Sequence, residues 1–390
     1  MRILLSAVGT RGDVQPILAL ATQIRAFGHE PRLCIPPNFV QQAKKLGFDP
    51  IPVGIEMRAP RKERPPPSVS ALITDQFDVV GAAAQGCDLI VAGGAHQYAA
   101  RSAAELHGLP YAVAVYAPVA IPSLDLPPPG QPAACNDTES NSHAWREYRL
   151  AWNNRALEEV NDNRASWGLA PIDDVLNHVL ADRPWLAADP VLGPTPSTPQ
   201  MRVRQTGLWS IEDRRSLPSQ LEAFLADGEA PIYFGFGSMP APRQLGATLL
   251  EAARKLGRRC IISRGWAELT VDSMERDCIV IDEVNHQALF PRAAAVVHHG
   301  GAGTTYAAAR AGTPQVIIPM FSDQFYWGWR VCALQIGRTL SLNELNVQNL
   351  SVALRAALDH VVSERCKHVS KQLVVDGAAT AARQLLGEIR

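Results

Sequence analysis

A chain of 390 residues, 47% hydrophobic and 19% charged, carries more apolar surface than one ordinary core holds and too little charge for disorder, so two domains of similar size are expected. Its 37 basic and 38 acidic residues nearly cancel, which excludes the bulk basic field of a nucleic-acid or anionic-membrane binder and leaves any anion to be held locally. The seven cysteines are scattered without a C-x-x-C pair and read as buried thiols of a reducing, cytoplasmic environment rather than a metal or redox set.

In chain order, Arg2 to Val8 reads as a strand rather than a signal peptide, and no window has the roughly 18 apolar residues of a membrane span. Arg32 to Ile35, Asp88 to Ala92 and Ala112 to Val115 continue a series of short apolar runs separated by helical stretches, the pattern of βαβ crossovers in a parallel sheet. The pattern restarts with Pro231 to Gly235, Arg259 to Ser263, Cys278 to Ile281, Ala294 to His298 and Gln315 to Pro319. The fold class is therefore α/β, with two Rossmann-like doubly wound parallel-sheet domains facing a central cleft. Asp189 to Pro199, rich in proline, reads as an exposed connection. The expected divisions are residues 1–205, a linker at 206–215, residues 216–365, and a C-terminal helix at 366–390 returning to the first domain. Arg58 to Ser70 and Ile121 to Asn141 read as loops, either an acceptor lid or ordinary surface.

Two turns carry chemistry. Gly9-Thr10-Arg11-Gly12-Asp13 follows the first strand and opens a helix, at the end of the sheet where doubly wound folds bind ligands. Asp13 there is either a helix-capping aspartate or a base that accepts a proton from a hydroxyl. The spacing is a poor dinucleotide fingerprint, since the third glycine is missing. In the second half, His298-His299-Gly300-Gly301-Ala302-Gly303-Thr304-Thr305 follows a strand and opens a helix, presenting unpaired N–H groups and the helix dipole to a phosphate, with His298 and the threonine hydroxyls as further donors. One strand later, Asp323 and Gln324 pair a carboxylate with an amide, a set able to read vicinal sugar hydroxyls or simply to start a helix.

With these motifs, and with Trp185 to Leu192, Gly235-Phe236-Gly237-Ser238, Ser263-Arg264-Gly265-Trp266 and Glu283-Val284-Asn285-His286-Gln287, the chain resembles the nucleotide-sugar glycosyltransferases of the GT-B architecture, in particular those of the vancomycin group of glycopeptide antibiotics. The resemblance covers nearly the whole length. It implies Asp13 as general base, where many relatives have histidine. It implies diphosphate contacts from Thr10, Ser238, His298 and the backbone of Gly300, Gly301, Ala302, Gly303 and Thr304. Arg11, Arg264, Trp266, Val284 and His286 would flank the nucleoside, and Asp323 and Gln324 would read glucose. No metal and no cofactor are implied beyond a UDP- or TDP-sugar as co-substrate. The acceptor would be a small or medium-sized aglycone, a glycopeptide heptapeptide first, and the chain a monomer without membrane insertion. A sterol or other lipid glucosyltransferase and a nucleotide-sugar 2-epimerase remain as alternatives. The aromatic run Phe325 to Trp329 would serve an acceptor wall or helix packing, and the basic Arg58 to Arg64 stretch would favour an acidic acceptor.

Overall fold

The computed structural model describes residues 1–56, 68–132, 137–239, 245–266, 268–271 and 276–388. The first sheet is built from β1 (Arg2–Ala7), β2 (Glu30–Ile35), β3 (Ile51–Pro52), β4 (Leu89–Gly93), β5 (Tyr111–Val115), β6 (Trp185–Leu186) and β7 (Arg204–Gln205). The second contains β8 (Ile232–Gly235), β9 (Cys260–Ser263), β10 (Cys278–Ile281), β11 (Ala295–His298), β12 (Gln315–Ile317) and β13 (Gly337–Thr339). Every recorded strand pairing is parallel, in the orders β3-β2-β1-β4-β5-β6-β7 and β10-β9-β8-β11-β12-β13. Strands such as Leu89–Gly93 and Ala295–His298 are buried at every position, without the alternation of a half-solvated sheet, because helices cover both faces.

In each sheet the chain first builds outward in one direction, from β1 to β3 and from β8 to β10. It then crosses back to place β4 beside β1 and β11 beside β8. These reversals separate the loops that leave neighbouring strands and open a crevice at their carboxyl ends. The registers Ala7↔Gly93 and His298↔Gly235 bring the strand ends level, so the loops after β1 and β4, and those after β8 and β11, emerge side by side.

The segment from Asp189 is exposed at Pro190, Pro194, Thr195, Ser197 and Pro199, as expected of a connection, but its start is anchored inside the protein. Asp189 is 1% exposed and Leu192 is 2% exposed. The aspartate is tolerated inside because its carboxylate accepts from the amides of Val191 (2.8 Å), Leu192 (3.2 Å) and Val374 (2.7 Å). Arg330, from the helix Gln324–Ala333, donates to Val191 O and Leu192 O, both at 2.9 Å, tying that helix to the first half of the chain. Tyr326 and Trp327 are each 2% exposed in a core shared with the first half, so this part of the aromatic run serves helix packing rather than an acceptor wall.

The C-terminal stretch is two helices rather than one. Residues 366–370 complete His360–Ser370, which lies against Ala302–Arg310, and Gly377–Glu388 packs on Arg11–Ala26 through Ala378, Ala381, Ala382 and Leu385. Five of the cysteines are buried thiols and Cys332 is half-buried; Cys135 and the Arg58 to Arg64 stretch lie outside the described residues. No described helix is long and apolar enough to cross a membrane.

Candidate active site

Asp13 sits at the reversal point of the first sheet. It is the third residue of the helix Arg11–Ala26, whose N-cap is Thr10; Asp13 Oδ2 accepts from the Thr10 amide at 2.8 Å and from its hydroxyl at 3.4 Å. The capping role expected of Asp13 is therefore present. The carboxylate lies in a nest of two glycines: a Cβ on Gly9 would fall 2.3 Å from Asp13 Oδ2, and one on Gly94, just after β4, 3.1 Å from Oδ1. Gly9, at φ +132°, also has a backbone conformation that L side chains rarely adopt. Tyr116 donates its hydroxyl to Asp13 O at 3.1 Å from the far side. Burial pushes the Asp13 pKa up to about 6, opposed by the Thr10 amide and reinforced by the charge of Asp323. Asp13 itself is half-buried.

The reversal point of the second sheet holds the glycine-rich turn. Gly301 is the N-cap of the helix Ala302–Arg310, and the first intrahelical bond runs from Thr305 N to Gly301 O at 3.0 Å. The amides of Ala302, Gly303 and Thr304 precede that bond and face outward with the positive end of the dipole. The Thr305 hydroxyl is spent on Gly301 O at 3.0 Å.

The two histidines divide the work differently from the sequence expectation. His298 closes β11 with no exposure: its Nε2 pairs with Gln315 Oε1 at 2.9 Å, and its Nδ1 accepts from the Gly300 amide at 3.1 Å. Both ring nitrogens are engaged inside the protein, so the ring shapes the Gly300 turn instead of facing the cleft. His299 lies between the two loops of the crevice: a Cβ on Gly237 would be 3.2 Å from its Cε1, and one on Gly301 would be 2.6 Å from its Nε2. Its Nδ1 is buried without a hydrogen-bond partner, and burial followed by the charge of His298 lowers its pKa to about 3. Nε2 is therefore the ring nitrogen nearest the helix start, while the unpartnered Nδ1 lies toward Gly237. Ser238 stands half-buried on the loop after β8.

Of the expected sugar readers, Asp323 is half-buried at the N-cap of Gln324–Ala333 but does not cap it; its Oδ2 accepts from Trp327 Nε1 at 2.8 Å. Burial raises its pKa, and its charge acts on Asp13 from the other half of the molecule. Gln324 is 3% exposed, with its side-chain oxygen taken by the amides of Met320 (2.8 Å) and Phe321 (3.2 Å) and its nitrogen against Met239 Sδ. It fixes the loop that presents Asp323. The first half closes over this loop through Gly130 N to Ser322 O at 2.9 Å.

The expected nucleoside residues surround the loops after β9 and β10. Arg264 pairs with Asp282 at 2.9 Å, Trp266 N donates to Gly237 O at 2.8 Å, and Val284 is buried. His286 stacks on Phe290 at 4.4 Å and meets the Tyr233 hydroxyl at 3.1 Å; burial, then the Arg11 charge, lowers its pKa to about 4. Arg11 reaches across the cleft to pair with Glu283, which also meets Arg215 of the connecting segment at 3.4 Å. Burial pushes the Glu283 carboxyl up, but Arg11 and Arg215 outweigh it and hold the pKa below the usual value. No role for Glu283 was legible in the sequence, because its partner lies 272 positions away. Among the described residues, no group of three or more His, Cys, Asp or Glu is placed to hold a metal ion.

Two doubly wound parallel sheets, with a carboxylate at one reversal point and a glycine-rich helix start at the other, define the GT-B class of nucleotide-sugar glycosyltransferases. Residues 3–118 match the glycosyltransferase family 28 N-terminal domain, and residues 248–384 match the C-terminal domain of erythromycin biosynthesis protein CIII-like proteins. Over 400 residues the chain is 40% identical to vancomycin aglycone glucosyltransferase of Amycolatopsis orientalis, covering 100% of this chain and 98% of the relative. It is 38% identical over 384 residues to dTDP-epi-vancosaminyltransferase of the same organism, covering 95% and 93%. The solved glycotransferase of kitacinnamycin shares the fold with a TM-score of 0.73 at 19% identity, covering 100% of this chain and 98% of that one. The chain belongs to the vancomycin group of antibiotic glycosyltransferases.

Proposed function

We propose that this glycosyltransferase moves glucose from UDP- or TDP-glucose to a hydroxyl of a natural-product aglycone, a glycopeptide heptapeptide first, with inversion at the anomeric carbon. The observation that carries the reading is the pairing of Asp13 at one reversal point with the His299 and Gly301–Thr304 cradle at the other. The name of the vancomycin aglycone relative supports the acceptor.

The acceptor oxygen attacks the anomeric carbon while its proton passes to the Asp13 carboxylate. The bond from that carbon to the diphosphate oxygen breaks on the opposite face, and the nucleoside diphosphate departs with the electron pair. The outward amides of Ala302, Gly303 and Thr304, with His299 and Ser238, stabilise the growing charge on the leaving group, which is where preorganised donors act most strongly. Thr10 serves chiefly by holding Asp13, and His298 by holding the Gly300 turn. Asp323 receives sugar hydroxyls on its free oxygen, while Arg264, Trp266 and Val284 bound the nucleoside. Residues 1–205 bind the acceptor and 216–365 the donor; the reaction needs no metal or cofactor, and the protein acts as a cytoplasmic monomer.

Incubation with vancomycin aglycone and either UDP-glucose or TDP-glucose, in the presence of a metal chelator, should add the mass of one hexose in the wild type and none in Asp13→Asn. Nucleoside diphosphate released without a mass gain would retain the donor chemistry and discard the glycopeptide acceptor.

A further inference from the structure

The loop after β4 carries an aromatic surface that donor chemistry leaves unused. It begins at Gly94, against the Asp13 carboxylate, and its next residues are fixed by side-chain hydrogen bonds. Gln97 is 1% exposed, accepts the Ser6 hydroxyl at 2.7 Å and donates to Gly93 O at 3.3 Å. The Gln76 amide donates to His96 O at 3.2 Å and accepts from the Tyr98 amide at 3.0 Å. So anchored, the His96 ring lies on Trp152 with centroids 5.2 Å apart and planes 25° apart. Tyr98 and Tyr148 flank Trp152 at 5.8 and 6.2 Å. Tyr98 and Trp152 are 5% and 7% exposed and belong to the core, whereas His96 is exposed.

A core explains the buried members of this cluster, but not an exposed imidazole held flat on one of them. Burial, then the Arg155 charge, lowers the His96 pKa. Two residues of chain span at most about 7 Å, so the His96 backbone lies within that distance of the glycine that touches Asp13.

We propose that His96, backed by Trp152 and flanked by Tyr148, is a specificity-determining residue of the acceptor cleft that stacks on an aromatic ring of the acceptor and so presents that ring's hydroxyl to Asp13. The proposal rests on the transferase reading above and adds to it the residue that selects aromatic acceptors. Offset stacking needs a flat, pre-positioned partner with one face free, and the Trp152 face and the Gln76 and Gln97 anchors supply the positioning.

The test compares wild type, His96→Ala and His96→Phe, with 4-methylumbelliferone as aromatic acceptor and cyclohexanemethanol as non-aromatic one, measuring KM and kcat for each and donor hydrolysis without acceptor. In His96→Ala the KM for 4-methylumbelliferone should rise about 2- to 12-fold, the range of one aromatic pair. The KM for cyclohexanemethanol and donor hydrolysis should stay within twofold, and His96→Phe should restore the wild-type KM. Equal losses for both acceptors, no loss in His96→Ala, or a His96→Phe as impaired as the alanine variant would each overturn the role of His96 while donor turnover still upholds the transferase. A wild type that releases no nucleoside diphosphate from UDP-glucose or TDP-glucose would overturn the transferase reading, and this proposal with it.

Discussion

Asp13 is held by the bond that many helix starts use for an acidic side chain, and its surroundings make it suited to a further task. Burial raises its pKa to about 6 from the ordinary 3.8, and a base works only when deprotonated. Activity should therefore be present above pH 6 and fall as pH drops through that value, giving an acidic limb of kcat/KM near 6. Asp323→Asn removes an influence that raises this pKa and should move the limb to lower pH. Asp13→Asn should reduce kcat roughly 100- to 10,000-fold, the range for removal of a positioned proton acceptor. The same shift affects stability: the folded state binds the proton more tightly than the unfolded one, so the penalty for ionising Asp13 develops between about pH 4 and pH 6. Thermal melts should show Asp13→Asn more stable than wild type at pH 8, with the gap closing at pH 4. For His299, replacement by alanine removes the candidate N–H donor to the diphosphate. The donor KM should rise about 10- to 150-fold, the factor of one hydrogen bond to a charged group, with the melting temperature little changed.

At the scale of elements, the helix Ala302–Arg310 shows where packing ends and ligand space begins. A Cβ on Gly303 would meet nothing within 4 Å, so Gly303→Ala should fold as the wild type does. If the cradle binds diphosphate, that open space is where the ligand lies, and the variant should show a raised donor KM in steady-state kinetics with an unchanged melt. Such strands as Arg2–Ala7 and Cys278–Ile281 were legible because a buried parallel strand is a continuous apolar run bounded by helical stretches. Ile51–Pro52, Trp185–Leu186 and Arg204–Gln205 were not, being two residues long and too short for any period to register, and Gly337–Thr339, a glycine, an arginine and a threonine, has no apolar run to read. The burial of Asp189 was not legible either: proline and polar residues mark irregular backbone, and the start of such a segment can be buried when three amides satisfy one carboxylate.

Across the whole molecule, the halves are joined by contacts whose partners are remote in sequence: Arg330 on Val191 and Leu192, Arg11 on Glu283, and Gly377–Glu388 on Arg11–Ala26. The last buries three alanines and a leucine, on the order of 4 kcal/mol of apolar burial. Deleting residues 377–388 should lower the melting temperature and expose the apolar face of the helix that carries Asp13, read by scanning calorimetry and dye binding. The sequence by itself determined the two sheets, the two glycine turns and the family resemblance, since these depend on local periodicity and on residues adjacent in the chain. Tertiary structure decided which histidine faces the cleft, that Gln324 serves the loop and leaves Asp323 free, that His96 lies on Trp152, and that Asp323 acts on Asp13 from the other half. Each of those depends on which side chain a packed neighbour has already claimed, and hydrogen-bonding capacity is assigned only when distant segments meet.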